Sequence, residues 1–137
     1  MKISGVRKVR IAITISLLLL FLFANIYVIR QLMYYGLQLY FYDKMLVAFQ
    51  IGGSSGLNKE LASVLSQEKT PRETALAKSF KKNLNTFKTP DKFLKDTTEE
   101  LKRKINFFRT SRNIAFVLIM VILLLRLTLN FFTKTKK

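Results

Sequence analysis

Two long apolar blocks lie near the ends of the chain, and a charged stretch separates them. The first block, residues 11–29, is 19 residues long without a charge, and the second, residues 114–132, is 19 residues long with one charge, Arg126. Because a helix rises ~1.5 Å per residue, each block covers a hydrocarbon core of ~30 Å. Neither block has the polar face of a soluble surface helix. The pattern therefore predicts two transmembrane helices.

The first apolar block is followed by a stripe that predicts a continuing helix. Its members recur with spacings of three and four: Leu32, Tyr35, Leu39, Tyr42, Leu46 and Phe49. This heptad-like pattern extends the helix out of the membrane until the glycine-rich residues 52–56 break it. An alternative places residues 31–50 flat in the membrane interface, because nearly all their helical faces are apolar.

Three more helices are predicted before the chain returns to the membrane. The second runs over about residues 58–69 and shares one apolar face, formed by Leu57, Leu61, Val64 and Leu65. Thr70 and Glu73 then have the spacing of a capping box, with Pro71 at the first helical position. The third helix has the stripe Leu76, Phe80, Leu84 and Phe87.

The fourth helix is expected to run without a break into the second apolar block. It starts at Thr89-Pro90-Asp91, no glycine or proline follows Pro90, and its stripe is Leu94, Thr98, Leu101, Ile105 and Phe108.

The expected fold class is an all-α membrane protein with two transmembrane helices that flank a small extracytoplasmic helical domain. Short connections favour an antiparallel four-helix bundle or a coiled-coil-like hairpin, with helices one and four continuous with the spans. The expected segments are a basic cytoplasmic N-terminus (1–10), the first span (11–29), the extracytoplasmic domain (30–113), the second span (114–132) and a basic cytoplasmic C-terminus (133–137).

The orientation follows from the basic residues that flank the spans. Four of the ten residues before the first span are basic, which favours a cytoplasmic N-terminus. Five basic residues before the second span argue mildly the other way, but the first helix usually dominates. We expect a multi-pass protein of the cell inner (cytoplasmic) membrane with both termini in the cytoplasm. An organelle inner membrane is the alternative location.

Composition narrows the chemistry. The chain has 24 basic and 8 acidic residues, a net charge of +16, and neither cysteine nor histidine. Disulfides, thiolate metal sites and the commonest general base are therefore excluded. We expect no metal, no cofactor, no catalytic residues and no small-molecule substrate. We expect no nucleic-acid partner either, because much of the positive charge flanks the spans and no recognition motif accompanies it.

Three groups of residues are candidate contacts to a partner or to anionic lipid headgroups. Arg126 is the one charge within a span; it could bind a partner's acid or a lipid phosphate, although snorkelling to the headgroups is favoured. A basic collar precedes the second span and could bind anionic lipid or an acidic partner, although such a run is more often a solvated flank; it consists of Lys102, Arg103, Lys104, Arg109 and Arg112. The five tyrosines lie between residues 27 and 42, where an aromatic belt at the outer headgroups together with bundle packing is the favoured explanation; Tyr40 and Tyr42 lie farthest from the membrane and are the candidate exceptions.

Three functions are compatible with these features. The preferred one is a non-enzymatic accessory or scaffold subunit that docks on other membrane proteins, or on itself, through its long helices and outer domain. The second is a small membrane-active or protective protein, either holin-like or similar to a toxin-immunity protein. The third is a ligand-sensing input module that acts through a partner. The layout resembles the input half of two-span chemoreceptors and sensor kinases, although only five residues follow Phe132 and we expect no output domain.

Overall fold

In the computed structural model, residues 2–67 and 70–134 are described, with side chains over residues 5–67 and 70–129. The elements are α1 (Lys2–Ser66), α2 (Pro71–Asn83), a 3-10 turn (Leu84–Thr86) and α3 (Pro90–Lys134). No strand occurs within the described residues. The all-α prediction is confirmed.

Helix α1 is interrupted at Gly53. Its φ of 60° and ψ of −148° lie outside the helical region, in a conformation that only glycine adopts readily. Gly53 therefore divides α1 into a first arm, residues 2–52, and a second arm, residues 54–66. The predicted break within residues 52–56 is confirmed, but it is confined to one residue. The second arm consequently begins before residue 58, where the sequence pattern placed it.

The two arms of α1 approach each other closely beyond the break. A Cβ atom at Gly56 would lie 2.5 Å from the carbonyl oxygen of Ala48, so a side chain there would meet the backbone of the first arm. The Lys44 ammonium also lies 2.6 Å from a carboxylate oxygen of Glu60 and joins the same two arms. Glycine at position 56 thus allows the backbones of the two arms to come into contact, and the Lys44–Glu60 ion pair joins the same two arms.

The chain divides into two compact units: unit 1 comprises Met1–Gln31 with Phe108–Lys137, and unit 2 comprises Leu32–Phe107. The core of unit 2 is a single cluster to which both arms of α1, α2 and α3 contribute. Its buried members are Phe41, Met45, Leu57, Leu61, Val64, Ala77, Phe80 and Leu94. Thr98 is buried on α3, and its hydroxyl donates to the carbonyl oxygen of Leu94, which satisfies the polar group.

The predicted apolar faces agree with this core on three of the four helical segments. Leu57, Leu61 and Val64 are buried, as are Leu94, Thr98 and Leu101. Phe80 is buried, while Leu84 lies in the 3-10 turn beyond the end of α2. On the first arm, however, the most buried residues are Phe41 and Met45, which the predicted stripe does not contain. Tyr42, Leu46 and Phe49 from that stripe pack only at the edge of the core.

The start of α2 has half of the predicted capping box. The Thr70 hydroxyl oxygen accepts a hydrogen bond from the backbone N–H of Glu73 at 3.4 Å. In a complete capping box, the Glu73 carboxylate would accept a hydrogen bond from the backbone N–H of Thr70. Here it accepts one from the Thr70 hydroxyl instead, at 3.2 Å. Pro71 occupies the first position of the helix, where no N–H is needed.

Helices α1 and α3 are both long and apolar enough to cross a membrane. None of the residues in the 18-residue apolar window of either helix is buried within the protein. Their large side chains are exposed; Leu20, Phe23 and Leu127, for example, expose about two thirds of their surface. Both helices therefore present apolar surface that the fold itself leaves uncovered.

Candidate functional site

Arg126 and Thr14 link the two apolar segments of unit 1. An Nη1–H of Arg126 donates to the hydroxyl oxygen of Thr14, and that hydroxyl in turn donates to the carbonyl oxygen of Arg10 at 2.8 Å. The Thr14 hydroxyl that accepts from Arg126 is an uncharged group. The sequence indicated Arg126 but not this contact, because Thr14 precedes it by 112 residues.

An apolar groove of about 280 Å³ lies between the two segments of unit 1. Its walls include Leu17 and Phe21 of α1 and Ile119 and Leu123 of α3. Thr14 and Arg126 line its one polar end, where the hydrogen bond between them joins the two walls. We call this feature the span groove. No sequence pattern marked it, because its walls come from helices far apart in the chain.

The charge of unit 1 has a single sign. Its segments, residues 1–31 and 108–137, contain 11 basic residues and no aspartate or glutamate. Three exposed basic residues lie just before the first apolar block: Arg7, Lys8 and Arg10. The sequence of unit 1 therefore provides no aspartate or glutamate side chain to neutralise the charge of Arg126.

The basic collar lies on α3, and two of its members already have acidic neighbours. A guanidinium nitrogen of Arg103 lies 3.4 Å from Glu99, and the Lys104 ammonium lies 2.6 Å from Glu100. The hydrogen bond between Lys104 and Glu100 lowers the pKa of the Glu100 carboxyl and raises that of the Lys104 ammonium.

The members of the basic collar also differ in their aromatic contacts and in their exposure. The Lys104 ammonium lies 5.8 Å from the ring centroid of Tyr35, within cation–π range. Lys102 and Arg109 are exposed, and Arg112 is half-buried. Glu99 and Glu100, adjacent in sequence, each pair with a different base, so their carboxylates do not converge.

The two candidate tyrosines have different environments. Tyr40 exposes 59% of its surface. Tyr42 packs at the edge of the core, with its ring centroid 5.9 Å from that of Phe80 and 6.3 Å from that of Phe93. Burial, reinforced by the nearby Tyr34, raises the pKa of the Tyr42 phenol. Of the two, Tyr40 is the residue that the structure leaves accessible.

Tyr40 belongs to an apolar stripe on the first arm that the core of unit 2 does not use. Its members, spaced by seven, seven and four residues, are Met33, Tyr40, Val47 and Ile51, with exposed fractions of 67%, 59%, 47% and 84%. At 100° per residue these four positions fall on one side of the helix. We call them the outer stripe. The sequence contains the spacing of the outer stripe. However, the first arm is apolar on so many faces that the stripe from Leu32 to Phe49 fits a heptad pattern equally well.

Within the described residues, no three acidic, histidine or cysteine side chains group as a metal site. Compared with protein-family models, curated proteins and solved structures, the chain matches none of them.

Proposed function

We propose that this protein is a non-enzymatic integral membrane subunit that docks on a helix of another membrane protein through the outer stripe. The observation that carries the proposal is the exposure of Met33, Tyr40, Val47 and Ile51 on one side of a helix whose other side is in the core. The proposal includes two membrane crossings, a cytoplasmic location for both termini, and an antiparallel arrangement of the four helical segments around the core of unit 2.

Membrane insertion is supported by the exposed apolar windows of α1 and α3. In water, each large exposed apolar side chain would cost about 1.5–3 kcal/mol relative to burial. The spans present many such side chains, far more surface than a soluble monomer exposes. Helix α1 shows no non-helical residue before Gly53, which supports an outward extension of the span rather than a bend into the interface.

The bilayer does not account for the outer stripe in this arrangement. Counted from Ile29 at ~1.5 Å per residue, Tyr40, Val47 and Ile51 lie roughly 16, 27 and 33 Å farther along the helix. These positions are beyond the hydrocarbon core and face water unless a protein covers them. A stripe with spacings of seven and four residues fits a partner helix, because such positions form one side of a helical interface.

Charge favours a different protein over a second copy as the partner. Unit 2 contains 13 basic and 8 acidic residues, a net charge of +5. Two copies brought together would repel each other, whereas an acidic partner would be attracted. An apolar helix with acidic flanks is therefore the partner that the outer stripe fits best.

Site-specific photo-crosslinking in the native host tests this proposal. A benzophenone amino acid replaces Tyr40 in the outer stripe or, as the matched control, the exposed Lys82 on α2. We expect an adduct with one membrane protein from position 40, its loss when Val47→Glu is added, and no such adduct from position 82.

Two results would overturn the proposal. Adducts that contain only copies of this chain would assign the outer stripe to self-association. Equal adducts from positions 40 and 82, or none from either, would show that the outer stripe docks nothing specific.

A further inference from the structure

We infer that the span groove is a binding site for one anionic phospholipid, with an acyl chain along the groove and the headgroup phosphate on Arg126. The inference rests on the proposed membrane insertion of the two spans. It assigns a ligand to a part of the molecule that the outer stripe does not involve.

The size and walls of the span groove fit hydrocarbon. Its volume of about 280 Å³ far exceeds the water-sized voids of packed protein interiors. From Thr14 to Ala24 the groove follows ten residues of α1, about 15 Å at helical rise. That length corresponds to half of a ~30 Å hydrocarbon core, the depth of one leaflet.

The polar end of the span groove lies where a lipid phosphate would be. Thr14 holds the Arg126 guanidinium and also bonds to the backbone of Arg10, the residue directly before the apolar block. The guanidinium is therefore about one helical turn from the end of the first span. It has five N–H donors, and a phosphate accepts two of them in parallel.

The charge around this end favours an anionic lipid. Arg7, Lys8 and Arg10 add positive charge there, and the sequence of unit 1 contains no aspartate or glutamate to balance it. A partner's carboxylate within the membrane is the rival occupant, but acidic residues in transmembrane helices are rare. Lipid phosphates, by contrast, are present in every bilayer just outside the hydrocarbon core, within reach of a side chain one helical turn from its edge.

Native mass spectrometry of the full chain released from nanodiscs tests the inference. The nanodiscs contain equal amounts of phosphatidylglycerol and phosphatidylcholine with identical acyl chains. Both lipids offer a phosphate to Arg126, but only phosphatidylglycerol has a net negative charge, whereas the basic residues at this end of the groove repel the choline cation of phosphatidylcholine. For the wild type we therefore expect about tenfold more bound phosphatidylglycerol. Arg126→Gln should bring the ratio close to one.

Two further variants separate this site from general effects of charge or folding. Arg30→Gln removes one exposed charge from unit 1 away from the groove residues and should retain the preference. Ala24→Phe places a ring in the groove and should lower the amount of both bound lipids. Helical content from circular dichroism verifies that each variant is folded.

Several results would overturn the inference. One is binding of equal amounts of the two lipids to the wild type. Another is a loss of preference in Arg30→Gln as large as in Arg126→Gln. A benzophenone at Leu20, a groove residue, that captured a protein rather than lipid would assign the groove to a partner's helix. Failure of the chain to enter nanodiscs would reject membrane insertion itself, and with it both proposals.

Discussion

Met45 and Met33 lie on the same arm of α1 in opposite environments. Met45 is completely buried in the core of unit 2, whereas Met33 exposes 67% of its surface. The two side chains have the same volume and flexibility, so their environments alone decide what each contributes to stability. A comparison of substitutions at Met45 and Met33 therefore identifies the face of the first arm that packs against the core.

Truncation of these two methionines should have unequal effects. Met45→Ala leaves a cavity among packed side chains and should lower the free energy of unfolding by about 2–5 kcal/mol. Met33→Ala shortens a mostly exposed side chain and should change it by less than about 0.5 kcal/mol. Denaturant unfolding of the full chain in detergent, followed by circular dichroism, measures both. Equal losses of unfolding free energy in the two variants would show that a different face of the first arm packs against the core.

Tyr42 should make stability sensitive to alkaline pH. Burial raises the pKa of its phenol above the ordinary value near 10, so the fold favours the neutral form. This contribution is fully present below the unfolded pKa and is lost as pH rises through the higher folded pKa.

The comparison of two tyrosine variants isolates this effect. Between pH 8 and pH 11, Tyr42→Phe should lose less thermal stability than the wild type, because it has no phenol to ionise at the core. Tyr40→Phe, altered at an exposed position, should lose as much as the wild type. An identical pH dependence for Tyr42→Phe and the wild type would show that the phenol ionises as easily in the fold as outside it.

At the scale of elements, the turn between the two arms of α1 is set by glycine geometry. Gly53 has a positive φ, and Gly56 leaves space for the Ala48 carbonyl. Gly52, one residue earlier, has no neighbour within 4 Å that an added Cβ would meet. Three glycines in five residues thus have different roles, which the sequence presents only as a flexible linker.

Alanine substitutions should separate these roles. Gly53→Ala forces a side chain into a strained conformation and should cost about 1–3 kcal/mol of unfolding free energy. For a domain of this size, each kcal/mol corresponds to a fall in Tm of about 4–8 °C. Gly52→Ala, the matched control in helical geometry, should leave Tm unchanged or raise it slightly. A fall in Tm for Gly52→Ala as large as for Gly53→Ala would contradict this account of the turn.

The elements and their caps could be predicted from local sequence, while the contacts between them could not. Thr70, Pro71 and the spacing of Leu94 and Leu101 contain enough information to place α2 and the inner face of α3. The rotation of the first arm depends on which of its apolar faces the second arm covers. That choice is made by tertiary packing at Gly53 and Gly56, and local periodicity does not report it.

The candidate site was harder to predict than the elements. Arg126 stands out in the sequence as a charge in an apolar block, yet its partner Thr14 resembles any threonine that a membrane helix tolerates. The span groove exists only where two helices from opposite ends of the chain meet. Neither helix alone contains the information that defines it.

At the scale of the whole molecule, the two units differ in charge and in what remains exposed. Unit 1 has basic residues without any acid and apolar helices without cover, which together match an anionic bilayer. Unit 2 mixes both signs of charge around a small core and leaves the outer stripe uncovered. These differences are the basis for the proposal that one unit crosses the membrane and the other docks on a partner.

The most direct test of the account is the sidedness of the two units. The chain has no cysteine, so Ser55→Cys in unit 2 and Lys136→Cys near the C-terminus each provide a unique thiol. A membrane-impermeant maleimide is applied to intact spheroplasts that express each variant. We predict that Ser55→Cys is labelled at once and that Lys136→Cys is labelled only after permeabilisation. Labelling of both variants in intact spheroplasts, or the reverse pattern, would contradict the proposed topology.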